Sequence, residues 1–250
     1  MRHDGPVSAS MKKFAFVSLC LVLSALAAGS VEAREPAPAF VTPAQIDAAD
    51  MLPSPPASDS EAARAELEEL HRIESQRTAS DIAHARADEA QRNIFIFKTA
   101  LGAGFNAEAL PLTAAFSAHV VDGERAGIAP VKRAFHRVRP YNLDKSLHPV
   151  CRIKIKNDSY PSGHTISGYL MALVLASILP ERRDAIFARA DDYARSRLVC
   201  GSHFPSDVEA GKRLAYALFA VMATNPQFKA ERAAAAAEMR KVLALSARDE

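Results

Sequence analysis

The sequence predicts an all-α protein with a single domain, because its apolar residues recur at helical spacing and show no alternation of useful length with the two-residue period of strands. An apolar run from Ile166 to Leu179 stops at Pro180, which is typical of a long buried helix. With 250 residues and 49% apolar composition, the chain is long enough to bury one sizeable core.

The helices can be placed in order along the chain. Asp59 or Ser60 caps the first one, in which Leu67, Leu70 and Ile73 keep helical spacing. The remaining predicted elements are helices over 78–90, 110–121, 166–179, 181–197, 208–223 and 227–247, a buried apolar segment at 93–103, a turn at 122–124, a restart of the chain at 127–130, and a loop over 142–159.

The N-terminal part of the chain has the features of a leader. Lys12 and Lys13 precede an apolar run over 14–28, and small residues follow it up to Ala33. We expect a signal peptide over 1–33, in which residues 1–10 are extra sequence before a natural start at Met11. A membrane anchor is the alternative, but the run is shorter than the roughly 20 residues that a span needs. A Pro-rich segment over 34–58 should lie extended over the surface of a domain that occupies 59–250.

The mature chain is nearly neutral and keeps two cysteines. Removal of residues 1–33 leaves 28 basic and 27 acidic side chains, which argues against nucleic acid or an anionic membrane surface as a partner. Cys151 and Cys200 remain after cleavage. A disulfide and two buried free thiols are both compatible with this pair.

Two cations form the first candidate motif. Lys132 and Arg139 are seven residues apart, which would place both on one face of a helix that ends beside Arg139 because Pro140 follows. A guanidinium can hold two oxygens of a phosphoryl group, while an ammonium adds a point charge. The alternative is a solvated basic face that includes Arg133 and Arg137.

The second motif precedes the long apolar helix. Ser162 is its predicted N-cap, so the amides of Gly163 and His164 point outward and can bind an anion. Glycine also allows the backbone to approach a ligand closely. At this position His164 is either a catalytic residue or a capping residue.

The third motif surrounds His203, which lies in a turn before another helix. Pro205 and the capping-box pattern that starts at Ser206 indicate the start of this helix. Asp207 can hold one nitrogen of the His203 ring as N–H and leave the other as a nucleophile, or it can serve only as a carboxylate at a helix dipole. Arg197 ends the preceding helix, where it is either an anion ligand or an ordinary C-terminal cation.

The three motifs together match the signature Lys-x6-Arg-Pro, Pro-Ser-Gly-His and Ser-Arg-x5-His-x3-Asp. With every position present, the chain resembles the type 2 phosphatidic acid phosphatase superfamily. The matching residues are Lys132, Arg139, Pro140, Pro161 to His164, Ser196, Arg197, His203 and Asp207. Within that superfamily the chain is similar to class A bacterial nonspecific acid phosphatases, whose Gly-Ser-Tyr-Pro-Ser-Gly-His-Thr motif has Asp158 here in place of the first glycine. We expect this replacement to change the charge of the pocket and the substrate preference.

The resemblance implies a helical bundle of the acid phosphatase and vanadium haloperoxidase type, in the periplasm, that hydrolyses small phosphomonoesters through a phosphohistidine. It implies no cofactor, no metal, and no nucleic-acid or membrane partner, and it allows a homo-oligomer. His203, oriented by Asp207, would attack phosphorus, and a charged His164 would protonate the leaving alcohol. The implied phosphate ligands are Lys132, Arg139, Ser162, Gly163 and Arg197.

Three rival functions remain at this point. A vanadate-dependent haloperoxidase shares the same constellation of residues. An integral lipid phosphatase is disfavoured because the mature sequence has no apolar run of membrane length. A phosphate-binding protein without turnover is disfavoured by the complete residue set. Outside the motifs we find no compact cluster of His, Asp and Glu in the sequence, so we expect activity without a metal.

Overall fold

The structure is a computed structural model that describes residues 39–46, 48–151 and 157–243. The predicted signal peptide over 1–33, its extra residues 1–10, the start of the Pro-rich segment and the last seven residues of the predicted domain lie outside the described residues. The division of the chain into a leader, a Pro-rich segment and a domain stays a prediction.

All regular secondary structure of the described residues is helical, which confirms the all-α prediction. Short 3₁₀ turns span Pro43–Gln45, Ile94–Phe97 and Pro180–Arg182. The α-helices are α1 Ala48–Met51, α2 Glu61–Gln76, α3 Ala79–Glu89, α4 Lys98–Leu101, α5 Pro111–Phe135, α6 Pro140–Leu143, α7 Gly163–Ile178, α8 Arg183–Val199, α9 Pro205–Met222 and α10 Pro226–Val242.

Helix α7 lies at the centre of the core, with apolar or small residues buried on every side. It packs against α8 and α9, and also contacts α5. Two glycines permit the close approach: a Cβ at Gly168 would lie 2.6 Å from Tyr193 of α8, and one at Gly211 of α9 would lie 2.9 Å from the carbonyl oxygen of Ser162. Because α7 begins at Gly163, this packing fixes the second motif against the third.

Helix α5 is continuous over 25 residues, so the predicted turn at 122–124 and the restart at 127–130 were wrong. The glycines that suggested a turn serve packing instead. A Cβ at Gly123 would lie 3.0 Å from Met222, and one at Gly127 would lie 2.8 Å from Leu218. Tertiary packing therefore outweighs the low helix propensity of glycine and of Pro130, which lies inside the helix.

The Pro-rich segment takes part in the core, which corrects the expectation that it lies extended over the surface. Within its described part, Phe40 and Val41 are fully buried. The Phe40 ring packs edge-on against Phe116 of α5 and Phe228 of α10, with centroids 6.1 and 5.3 Å away. The start of the described chain thus joins α5 to the last described helix.

None of the described helices combines the length and the apolar composition that a membrane span requires.

Candidate active site

His203 lies in the turn between α8 and α9. Gly201, with φ +68°, gives this turn the left-handed backbone that glycine adopts most readily. The Nδ1 atom of His203 lies 3.4 Å from Asp207 Oδ2, and its Nε2 atom lies 3.2 Å from Nη1 of Arg139. A guanidinium can only donate, so Nε2 accepts and Nδ1 carries the proton. The lone pair of the buried imidazole therefore sits on Nε2, next to a cation.

The charge state of His203 follows from its surroundings. Burial and the neighbouring Arg139 lower the pKa of His203 to about 4, although Asp207 acts in the opposite direction. The ring is therefore neutral at mildly acidic and neutral pH. A neutral imidazole with an available Nε2 is what a nucleophile requires.

Asp207 accepts hydrogen bonds from three groups besides His203. Arg137 Nη1 donates to Oδ1 at 2.6 Å, while Ser159 Oγ and the amide of Phe204 donate to Oδ2 at 2.5 and 2.9 Å. Burial alone would raise the pKa of Asp207, but the hydrogen bond with His203 and the charge of Arg137 lower it to about 2. Helix α9 begins at Pro205 and Asp207 closes the cap at Phe204, so the predicted cap at Ser206 was two residues too late.

Arg137 is a site residue that the sequence analysis assigned to a solvated face. It is 8% exposed, donates to Glu66 at 2.6 Å and to Ser206 at 2.7 Å, and lies 4.0 Å above the Phe204 ring. The charge alone could not reveal this, since buried and solvated arginines look the same in a sequence. Ser159, whose hydroxyl binds Asp207, was missed for the same reason.

The second motif adopts the predicted geometry. Ser162 caps α7 by accepting a hydrogen bond from the amide of Thr165 at 3.4 Å, and Gly163 and His164 form the first turn. The amides of a first helical turn have no partner within their own helix, which makes them suited to an anion. The amide of Ser162 donates to the carbonyl oxygen of Asp207 at 2.9 Å, so the second and third motifs are directly linked.

His164 differs from the expectation in its charge. Its Nε2 atom lies 3.2 Å from the carbonyl oxygen of Glu89 and 4.0 Å from the Glu89 carboxylate. Burial, Arg197 and Arg92 lower the pKa of His164 to about 2. Without a bound anion, burial and these two arginines therefore keep His164 neutral at moderate pH, whereas a positive charge was predicted. An anion bound between them would favour protonation of His164.

Arg197 is fully buried near the end of α8. Its Nη1 atom forms an ion pair with Glu89, and Nη2 donates to the carbonyl oxygen of Ala85 at 3.2 Å. Among the described residues, Arg197 Nε is the buried side-chain nitrogen that lacks a hydrogen-bond partner. Because an unsatisfied buried donor is costly, this atom is suited to an oxygen of a ligand.

Lys132 and Arg139 do not share a helix face, contrary to the prediction. Helix α5 ends at Phe135, the left-handed His136 follows with φ 46°, and Arg139 is the N-cap of α6. The two cations nevertheless meet, because both contact Asp158. Lys132 Nζ donates to its carbonyl oxygen at 2.5 Å, and Arg139 donates from Nε and Nη2 to Oδ1 at 2.9 and 2.7 Å. Burial lowers the pKa of Lys132 to about 8.

A further cation, Arg92, was not singled out in the sequence. Its Nη2 atom donates to the carbonyl oxygen of Gly163 at 3.3 Å, to the buried Glu124 at 2.7 Å and to Ser167 at 2.9 Å. Burial raises the pKa of Glu124, although the charge of Arg92 acts against this. Arg92 thus braces the first turn of α7 from the outside, in a position that no sequence motif indicated.

A disulfide joins Cys151 and Cys200, with an S–S distance of 2.06 Å and a sequence separation of 49. The structure therefore contains the bridge rather than two free thiols. Cys200 immediately precedes the Gly201 turn that presents His203. The bridge ties that turn to the chain segment that leads toward Asp158.

Two groups of residues in the described part of the chain have metal-ligand character, which the sequence analysis did not find. In the first, Glu89 lies beside Cys151 and Cys200, whose sulfur atoms are joined in the disulfide. In the second, His84, Asp88 and Asp192 place one ligand atom each within 4.8 Å of the others. Arg189 already pairs with both carboxylates, reaching Asp192 at 2.9 Å. The Arg189 guanidinium neutralises part of the negative charge that would attract a metal ion to these carboxylates. Activity without a metal stays a prediction.

The fold and the site together define an all-α protein in which two buried histidines and several cations lie around the start of the central helix. Residues 110–231 match the PAP2 superfamily. Over 187 residues the chain is 34% identical to the non-specific acid phosphatase of Salmonella typhimurium and 33% identical to that of Salmonella typhi; each alignment covers 71% of this chain and 74% of the relative. It is 39% identical over 103 residues to the non-specific acid phosphatase of Providencia stuartii, covering 39% of this chain and 41% of that protein. The chain belongs to the PAP2 superfamily, which confirms the resemblance.

Proposed function

We propose that the protein is a non-specific acid phosphatase of the periplasm that hydrolyses small phosphomonoesters through a phosphorylated His203 and without a metal. The observation that carries this proposal is the setting of His203. Its Nε2 lone pair faces Arg139 at 3.2 Å, and its other nitrogen faces the Asp207 carboxylate. The names of the relatives support the same activity.

In the first half of the reaction, the lone pair of His203 Nε2 forms a bond to phosphorus. The bond from phosphorus to the ester oxygen breaks, and His164 supplies a proton to that oxygen as the alcohol leaves. Protonation of His164 becomes favourable only when the phosphoryl anion lies beside it, because burial and the charges of Arg197 and Arg92 otherwise lower its pKa. The charge that develops on the phosphoryl oxygens is stabilised by Arg139, which lies beside His203 Nε2, by Lys132 and Arg197 Nε, and by the amides of Gly163 and His164.

In the second half, water attacks phosphorus and the bond to Nε2 breaks. The neutral His164 accepts a proton from this water, so both histidines return to their starting state. Asp207 stays ionised throughout, because Arg137, Ser159 and the amide of Phe204 hold its oxygens. Its charge stabilises the imidazole ring of His203 while the ring carries the phosphoryl group.

The proposed location and absence of a metal have separate support. The predicted leader over 1–33 would direct export, and a disulfide between Cys151 and Cys200 persists best in an oxidising compartment. The cations that would neutralise phosphate are side chains of the protein itself.

The decisive experiment is hydrolysis of nitrophenyl phosphate by the wild type and by His203→Ala, each with and without a chelator. We expect turnover by the wild type in both conditions and no turnover by the variant. His148→Ala is the matched control, because this histidine is exposed and its side chain pairs with Glu74. Turnover by His203→Ala would refute the nucleophile, and loss on chelation that zinc or magnesium restores would refute metal independence. Peroxide-dependent bromination with added vanadate would instead indicate a haloperoxidase.

A further inference from the structure

Asp158 holds the same guanidinium that the proposed function assigns to the phosphate. A single carboxylate oxygen, Oδ1, accepts from both Nε and Nη2 of Arg139. The remaining nitrogen, Nη1, donates to the carbonyl oxygen of Ser202 at 2.8 Å and lies against His203 Nε2. Phosphate oxygens bind guanidinium groups through the same paired N–H geometry that Asp158 occupies.

Asp158 also lies beside the second cation assigned to the phosphate. Its Oδ2 atom is 3.8 Å from Lys132 Nζ, which donates to the backbone carbonyl oxygen of the same residue at 2.5 Å. One carboxylate thus faces both cations of the first motif. An arriving phosphoryl group would meet a cation pair whose charge Asp158 already partly neutralises.

The position of Asp158 in the fold allows its side chain to withdraw. It belongs to the loop before α7 rather than to a helix, and its side chain is 20% exposed whereas that of Arg139 is 2% exposed. The carboxylate therefore approaches Arg139 from the solvent side, and a change of the Asp158 side-chain rotamer can separate the two groups. The class A motif Gly-Ser-Tyr-Pro-Ser-Gly-His-Thr has glycine at this position, so the reaction does not depend on a carboxylate there.

We propose that Asp158 is an intramolecular competitor for the phosphoryl group and a determinant of phosphate affinity in this site. The inference rests on the proposed function, which places phosphate between Arg139, Lys132 and His203. Binding of a phosphomonoester then exchanges one anion for another on Arg139. The same exchange weakens the binding of the inorganic phosphate that the reaction releases, so Asp158 limits product inhibition.

The competing role for Asp158 is that of a brace that positions Arg139 and Lys132 for the substrate. The two roles predict opposite results when the charge is removed. Without a competitor, phosphate binds more tightly. Without a brace, the cations lose their alignment, and both phosphate affinity and turnover fall.

The experiment measures binding of inorganic phosphate by calorimetry, and inhibition of nitrophenyl phosphate hydrolysis by phosphate, for Asp158→Asn and Asp158→Gly. Since the change removes a unit charge within a few ångströms of the ligand, we expect the dissociation and inhibition constants of phosphate to fall about tenfold or more. KM should fall in the same direction. Asp184→Asn is the matched control, because this exposed residue lies thirteen positions, about 20 Å, before Arg197 along α8. It should leave all three constants unchanged.

The outcomes separate this inference from the proposed function. If the wild type hydrolyses nitrophenyl phosphate but Asp158→Asn binds phosphate equally or less tightly at an unchanged melting temperature, the competitor role is refuted and the phosphatase stands. If the wild type does not hydrolyse phosphomonoesters but the variant binds phosphate more tightly, the phosphatase is refuted and the competitor role stands. Failure of both variants to fold would also refute the inference, because a competitor is dispensable for folding.

Discussion

Replacement of Asp207 by asparagine tests the electrostatic core of the proposed mechanism. The change removes one charge and keeps nearly the same shape at a buried position. Asp207 Oδ2 lies 3.4 Å from His203 Nδ1. At an effective dielectric constant of about 20, a unit charge at this distance attracts a positive imidazole ring by about 5 kcal/mol.

Arg137 reduces this figure, because its guanidinium contacts the other carboxylate oxygen at 2.6 Å and repels the same ring. A net loss of about 4 kcal/mol in the transition state corresponds to about a 10³-fold lower kcat. A comparable carboxylate-to-amide change beside a catalytic histidine in a serine protease lowers kcat about 10⁴-fold. The variant should remain folded, since Glu66 still pairs with Arg137 at 2.6 Å.

The assay compares kcat on nitrophenyl phosphate for wild type, Asp207→Asn and Glu209→Gln, with melting temperatures to verify the fold. Glu209→Gln is a matched control, because it removes a carboxylate two residues along the same helix from an exposed position. We expect the control to keep the wild-type kcat. A loss of less than tenfold in a folded Asp207→Asn variant would refute the view that this carboxylate orients and stabilises His203.

Four further predictions concern the histidines and the disulfide. His203→Ala should abolish turnover of alkyl and aryl phosphates alike. His164→Ala should lower the rate about 10²- to 10⁴-fold on alkyl phosphates and much less on nitrophenyl phosphate, whose leaving group hardly needs a proton. The reverse pattern would exchange the roles of the two histidines. Because the pKa of His203 is lowered to about 4, kcat/KM on nitrophenyl phosphate should fall as the pH drops through that value, and a kcat/KM that stays level there would contradict the role of a neutral His203. His203 binds a proton below about pH 6.5 in the unfolded chain but only near pH 4 in the folded protein, so the free energy of unfolding should decrease by about 3 kcal/mol as the pH falls between these values. Urea titrations at several pH values measure this dependence, which His203→Gln should reduce. Replacement of Cys151 and Cys200 by serine should cost about 4 kcal/mol for a loop of 49 positions, and an unchanged urea midpoint would contradict this.

Helices could be predicted from the sequence where a capping residue or a proline marked their ends. The predicted N-cap at Ser162, the run from Ile166 to Leu179 and the stop at Pro180 together located α7 nearly to its ends. The same reasoning failed in α5. There Gly123 and Gly127 looked like breakers, because their use as contact points for α9 depends on a partner far along the chain.

The site could be predicted as a set of residues but not as a network. The signature located the histidines and the cations, since their types and spacing are visible in one dimension. Their partners were hidden, because Glu89, Arg137 and Ser159 resemble ordinary surface residues until the fold places them within hydrogen-bond distance. The charge of His164 was wrongly predicted for the same reason, since its pKa is lowered by burial and by arginines from other parts of the chain.

The contact between Phe40 and Phe228 has a consequence for the order in which the chain can fold. The two rings are about 190 residues apart in sequence, so the core closes across almost the whole described chain. Contacts of such long range form slowly, since the loop between them must be closed first. A nascent chain that lacks α10 leaves Phe40 with its neighbours in α5 alone, so this part of the core is completed only when synthesis is nearly finished. The export that we propose would benefit from this delay, because it leaves the unfolded chain more time to cross a membrane.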